Sequence, residues 1–500
     1  MNTYTKDKQN VAIVGGGVSG LYLAWRILST SCPASVHIFE KSSRTGGRLA
    51  TARLPLGADS TVQVEEGGMR FLDRHLHLNW LLEKLGLSKD IQRFGMGTDE
   101  NFFYLRGKSF SLKEAMEGRP EDGSKDSGFD GAQAVWSSLY NLDMSERKKT
   151  PKELLDDVVN SFAENNRQKH PESALEWRHF KECVEDGRSL NDWGLKPLLF
   201  HHQFSREAVA MLEGALGFSC PFDMQINAGA ALQLFANFPS EPQFKTLKGG
   251  YEELTIALRK EVEKFGATIH SVAKALAVKR KQNEDRLELR YRYNDREHSS
   301  TFDKVVLAVP PRDLARIDLS TLKTKKMNDL DRLLNYVVEM PLTKINFFYH
   351  ECWWKESRFK VKHGGCFTDL PLAQVYFFDS PEEESSSAQV GSPVLTIYSD
   401  GRNAMFWRQL QEFGGGAYTE IDLDLLTSCS EAVVKEATRQ LSLMFGMKVT
   451  KPVAATYRAW GNSETGSGDH LWKIGTRTGP RSPEIYNPAD NLFLCGEAFS

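Results

Sequence analysis

Val11-Ala12-Ile13-Val14-Gly15-Gly16-Gly17-Val18-Ser19-Gly20, followed by a second apolar run at Val36 to Phe39 that ends on Glu40, decides the fold of this chain. A short apolar run enters a glycine cluster, helical character continues through Leu21 to Leu28, and a second strand follows. That is one βαβ unit at the start of the chain. Gly15, Gly17 and Gly20 form GxGxxG between strand and helix. Gly15 permits the tight turn, Gly17 lets the backbone approach a pyrophosphate, and Gly20 allows close packing of helix on strand. With Val18 and Ser19 opening the helix, phosphates would face free N–H groups and the positive end of the helix dipole. Glu40, with Lys41 beside it, stands where a carboxylate can bind ribose hydroxyls. The pattern calls for a dinucleotide, without saying which.

Outward from this unit, residues 117–131 are rich in Gly, Asp, Ser and Glu and read as irregular exposed chain. Thr150-Pro151-Lys152-Glu153 is a capping box with proline at the first helical position; Leu154, Leu155, Val158, Val159 and Phe162 follow on one face. A second amphipathic helix carries Phe204, Ala208, Met211, Leu212, Ala215 and Leu216, so residues 111–244 are expected to be mostly helical. Strand patterns begin at Leu287 and include Val305 to Val309, residues 343–349 and 374–378, and Val394 to Tyr398; Pro381 to Ser392 reads as a polar loop. The expected fold is α/β: a Rossmann-like nucleotide lobe from residues 8–75, 245–325 and 485–500, a mixed-sheet lobe from 76–110 and 326–484, and a helical insertion.

A length of 500 residues suits two or three lobes around a substantial core. The formal net charge of −3 gives no electrostatic reason to expect nucleic acid or an anionic membrane as partner. No apolar run is long enough for a membrane span, and Met1 to Asn10 lacks the apolar core of a secretory signal, so a cytoplasmic protein is expected. The seven cysteines are scattered, odd in number and never spaced CxxC. They argue against a zinc site or a disulfide framework, and no metal is expected. Trp353-Trp354 reads as core packing.

Two further segments discriminate among nucleotide enzymes: Gly46-Gly47-Arg48, and Glu65-Glu66-Gly67-Gly68-Met69-Arg70. GxGxxG, Glu, GGR and GGMR in this order resemble the flavin amine oxidase superfamily, and the GGMRF form is similar to its L-amino-acid oxidases of bacterial type. Phe244 to Leu254, Val305 to Pro311, Leu342 to Ile345, Thr368 to Pro371 and Leu494 to Ser500 follow in family order. The resemblance implies non-covalently bound FAD, an L-amino acid and oxygen as substrates, and a homodimer. It implies that Gly47, Arg48, Gly67, Gly68, Met69 and Arg70 help to hold the cofactor, Arg48 at the pyrophosphate. Glu497 would reach the ribityl–phosphate region, and Ala275 would bind adenine through its backbone.

Arg70 also matches the arginine that anchors the substrate carboxylate. A planar, permanently charged fork binds a carboxylate through two parallel hydrogen bonds, and a simple amine would leave it idle. Tyr376 resembles the tyrosine supporting that carboxylate, and Lys344 the lysine that holds a water near the flavin, where a buried ammonium would stabilise anionic forms met during oxygen reduction. His470, Trp472 and Trp460 resemble residues walling the substrate cavity. Asp223 lies near where relatives acting on basic substrates keep an acid. The family's last motif continues beyond this chain's Ser500 into a Gly-Trp segment and a helix facing the flavin; the expectation is a sequence cut short there. An amine or polyamine oxidase, an amino-acid 2-monooxygenase and a flavin-binding regulator without turnover are the rival readings.

Overall fold

The computed structural model describes residues 8–30, 33–55, 61–117, 132–147, 149–236, 244–378, 393–421, 426–461, 466–476 and 486–499. The nucleotide lobe is built as expected from the first βαβ unit: β1 (Gln9–Val14), α1 (Val18–Leu28) and β2 (Ala34–Phe39). Its five-stranded sheet runs Thr268–His270, β2, β1, Lys304–Leu307, Leu492–Leu494, and every pairing is parallel. Such strands are covered on both faces and therefore apolar throughout, as Val11 to Val14 and Val305 to Leu307 are. The antiparallel hairpin sheet of Lys274–Arg280, Leu287–Tyr293 and Arg296–Phe302 packs beside it.

Helices dominate the described residues between 111 and 236. α2 (Pro151–Asn165) begins with the complete capping box of Thr150 and Glu153 and buries Leu154, Leu155, Val158, Val159 and Phe162. α3 (Arg206–Leu216) ends at Gly217, whose φ of +70° turns the chain out of the helix. The helical core contacts the second large sheet through Phe103, Phe367 and Leu216.

That sheet has eight strands in the order Thr427–Ser428, Ala454–Trp460, Leu342–Phe348, Val394–Asp400, Gln374–Phe378, Gly364–Thr368, Phe102–Leu105, Lys108–Ser111. We label four of them in chain order: β3 (Leu342–Phe348), β4 (Gln374–Phe378), β5 (Val394–Asp400) and β6 (Ala454–Trp460). Alternation sorts their side chains onto two faces. Ile345, Phe347, Val375, Phe377, Leu395, Ile397, Ala455 and Tyr457 form an apolar core that includes Trp353 and Trp354. The other face carries two cross-strand rows. One is Arg458, Lys344, Tyr398 and Gln374; the next is Thr456, Asn346, Thr396 and Tyr376. Polar residues in the middle of a covered sheet need partners, and they mark the face as a site.

The loops expected at residues 117–131 and 381–392 lie almost wholly outside the described residues, as does Cys32. The other six cysteines are free thiols. Among the described residues no helix is long and apolar enough to cross a membrane.

Candidate active site

The glycine turn is forced by its neighbours. Gly15 sits at φ +105°, and a Cβ there would lie 2.4 Å from the Ala308 carbonyl oxygen. A Cβ on Gly20 would lie 2.0 Å from the Gly15 oxygen. Gly17 differs: it caps α1 with no side-chain hydrogen bond, and its missing Cβ would meet only the Gly47 Cα, at 3.8 Å. Open space before a helix N-terminus is what a pyrophosphate requires, so these residues fit a dinucleotide. Glu40 is held below the turn. Its Oε2 accepts from the Gly16 amide at 2.8 Å, and its Oε1 accepts from the Ser42 amide and hydroxyl at 2.9 and 2.7 Å. Lys41 pairs with Asp313 at 3.2 Å.

Arg48 reaches from the second glycine pair towards the end of the chain. It donates to the Gly468 carbonyl at 3.2 Å and to Glu497 at 3.3 Å, with Asp469 at 3.9 Å. His470 stands 3.5 Å from Glu497. Burial, reinforced by Glu497, pushes the Asp469 carboxyl up. Asp469, His470 and Glu497 bring one ligand atom each within 4.8 Å of one another, with the Arg48 guanidinium as the cation among them. Ala275 lies in the hairpin opposite Tyr291, next to a bulge, while Ala273 donates its amide to the Glu40 carbonyl at 2.7 Å.

Between the two sheets runs residues 65–70, gripped at every step. Lys344 Nζ donates to the Glu65 carbonyl at 2.8 Å and to the Gly67 carbonyl at 2.5 Å. Trp460 Nε1 donates to the intervening Glu66 carbonyl at 2.6 Å. Glu66 Oε1 accepts from Asn346 at 2.9 Å and lies 3.5 Å from the Thr456 hydroxyl, whereas its Oε2 is buried without a hydrogen-bond partner. Glu65 accepts from the Tyr251 amide and the Thr51 hydroxyl at 2.8 and 2.9 Å. Burial raises both carboxyls to about 7, against the pull of Lys344 on each and of Arg458 on Glu66. Burial also lowers Lys344 to about 8, the two glutamates opposing it.

This grip delivers Arg70 to an aromatic box. Its guanidinium carbon lies 4.7 Å from the Phe244 ring centre, 5.2 Å from Tyr376 and 5.5 Å from Phe94. Arg70 Nη2 donates to the Tyr376 hydroxyl oxygen at 3.3 Å. Tyr376 and Gln374 form the floor of a cavity of about 1130 Å³ that opens between the sheet and the helical region. Leu155, Val159, Leu216, Phe218 and Phe367 wall it; Lys152, Asp156, His170, Glu172 and Glu176 stand among its lining as well.

The expected substrate residues therefore separate. Arg70, Tyr376 and Lys344 converge on the face between the sheets. Trp460 braces the chain beside them and stacks under Arg458 at 4.5 Å. His470 and Trp472 belong to the strand Asp469–Trp472, with His470 turned to Glu497. Asp223 does not line the cavity: its carboxylate pairs with Lys196 at 3.2 Å and Arg402 at 2.9 Å. The sequence reading passed over Gln374, Tyr398 and the buried side chain of Glu66. Tyr398 lies 5.7 Å from Lys344 Nζ, and burial together with Asp469 and Asp400 pushes its phenol up. The period-2 alternation of the strands around Tyr376 was the signal available for the first two.

A parallel nucleotide sheet joined to a mixed sheet with a polar face, with a glycine turn that fits a pyrophosphate at one and a buried ammonium at the other, is the arrangement of a nucleotide-cofactor oxidoreductase. The chain belongs to the flavin-containing amine oxidoreductases, whose family model matches residues 18–500. It is 25% identical to achacin of Lissachatina fulica, covering 97% of this chain and 88% of achacin. It is 23% identical to an L-amino-acid oxidase of Vipera ammodytes ammodytes, covering 81% and 74%. Solved structures of the same fold include a putrescine oxidase bound to putrescine, with TM-score 0.66, 17% identity and coverage of 98% and 93%. Another is cyclohexylamine oxidase from Brevibacterium oxydans IH-35A, at 0.65 and 16%, covering 99% and 94%. The cofactor is thus FAD.

Proposed function

We propose that this protein is an L-amino-acid oxidase, converting an L-amino acid to its imino acid, which hydrolyses to a 2-oxo acid and ammonia while oxygen becomes hydrogen peroxide. Arg70, hydrogen-bonded to the Tyr376 that lines the large cavity, carries the reading. A guanidinium fork backed by aromatic rings suits a carboxylate, which would leave the amine and Cα–H free to face the cofactor. The flavin, when bound, supplies the two-electron oxidation and hands the electrons to oxygen. Lys344 contributes a positive charge on the same sheet face and fixes the backbone that carries Arg70. The amine binds as the neutral form, so no protein base is needed. Asp223 has cationic partners of its own, and the wall formed by Leu155, Val159, Leu216, Phe218 and Phe367 is apolar, with charged residues elsewhere in the lining. A large apolar side chain is therefore preferred over a basic one.

Peroxide release from the purified holoenzyme, measured with L-amino acids, D-enantiomers and simple amines or polyamines, tests this. Only L-amino acids are expected to react, with L-Phe and L-Leu ahead of L-Lys. Arg70→Ala should lower kcat/KM by about a hundredfold or more, the loss expected when a charge-assisted double hydrogen bond disappears. Turnover of amines with Arg70→Ala unaffected would make this an amine oxidase. An amide product would make it a monooxygenase.

A further inference from the structure

We propose that Gln374 is a positioning residue that sets the direction of the Tyr376 hydroxyl and, through it, aims Arg70 at the substrate carboxylate; this rests on the amino-acid reading above. Gln374 is buried at the start of β4, two residues before Tyr376 on the same face of the sheet. Its Nε2 donates to the Gly217 carbonyl at 2.8 Å, at the end of α3. A carbonyl only accepts, so the amide can sit only one way round, with Oε1 towards Tyr376. The Tyr376 hydroxyl accordingly donates to Gln374 Oε1 at 2.8 Å, and its oxygen is left to accept from Arg70 Nη2 at 3.3 Å. The polarity of the whole chain, Gly217 to Gln374 to Tyr376 to Arg70, follows from one main-chain oxygen.

Two consequences distinguish this from a packing role. With its single proton engaged by Gln374, Tyr376 acts as an acceptor that steadies the guanidinium rather than as a second donor to the carboxylate. The chain also ties the carboxylate fork to α3, whose final residues Ala215 and Leu216 line the cavity. The side-chain pocket and the carboxylate anchor then hold a fixed spacing.

Gln374→Glu tests the polarity directly. A protonated carboxyl presents the same donor and acceptor as the amide. An ionised one has no donor for Gly217 and offers Arg70 a carboxylate that competes with the substrate's. In the holoenzyme, KM for the best L-amino acid should match wild type near about pH 6 and rise about tenfold relative to wild type by about pH 8.5, with kcat changing much less. Gln374→Leu should raise KM at every pH, and adding Tyr376→Phe to it should cost less than the separate effects combined. A Gln374→Glu profile parallel to wild type, or additive effects in the double variant, would overturn the positioning role while leaving the oxidase reading intact. Turnover of carboxylate-free amines by wild type, with Arg70→Ala unaffected, would overturn both.

Discussion

Glu66 sits in an environment that its residue type disfavours. It is 1% exposed, one carboxylate oxygen lacks a partner, and Arg458 with Lys344 only partly offsets the cost of burial. Unfolded, it loses its proton near the ordinary 4.5; folded, it holds it to about 7. Across that window the unfolded chain releases the proton first, so this group's contribution to stability declines as pH rises. Glu66→Gln removes the decline. Thermal unfolding of variant and wild type should therefore show a Tm difference moving in the variant's favour as pH is raised from 4.5 to 7. A constant difference would mean that the carboxyl ionises alike in both states. Arg70, Tyr376 and Lys344, the residues proposed for the substrate site, could be picked out in the sequence because their neighbours GGMR, TDLP and LTKI carry a recognisable order. The partners of Glu66 could not, since nothing along the chain says that Asn346, Thr456 and Arg458 come to surround it. Asp223 shows the same limit: an acid at a suggestive distance from a motif says nothing about Arg402 reaching it from the N-terminal end of the helix Gly401–Phe413.

At the scale of elements, local signals were most reliable where they are self-contained. Thr150 N-caps α2: its hydroxyl accepts from the Glu153 amide at 3.4 Å, and Glu153 accepts from the Thr150 amide at 2.7 Å. Both partners lie within four residues, so sequence suffices. Thr150→Ala should cost about 1 kcal/mol in denaturant unfolding, with little change in activity. A loss much below that would mean that tertiary packing of Leu154, Val158 and Phe162 alone sets the helix start. β3, β4 and β5 were also visible as strands, yet their order was not. Sheet order depends on pairings across long sequence separations, and β5 enters between β3 and β4 although it follows both in the chain. That insertion is what sets Lys344, Tyr398 and Gln374 in one row.

At the scale of the whole molecule, the residues proposed to cradle the cofactor lie where remote stretches of chain meet: Gly15 to Gly20 and Glu40, the hairpin at Ala273, and Arg48 with Glu497. A ligand that binds such a junction stabilises the folded state in proportion to its affinity, since the unfolded chain has no site for it. Protein stripped of flavin should melt at a lower temperature than holoenzyme, and FAD titrated back should raise Tm with the logarithm of its concentration. Riboflavin, lacking the pyrophosphate that Gly17 and the start of α1 would face, should raise it far less. Equal effects of the two would place the binding energy in the ring rather than the phosphate cradle.

The last strand of the parallel sheet has a bearing on how this protein comes into being. Leu492–Leu494 closes an edge against Lys304–Leu307, with six of the eight strands of the mixed sheet translated in between. A nascent chain can form its first βαβ unit early, but that edge stays bare until Leu492–Leu494 has been made. Contacts so distant in sequence slow folding and leave strand edges exposed to wrong partners in the interval. Maturation should thus lean on chaperones until that strand has emerged, and flavin capture should follow its pairing.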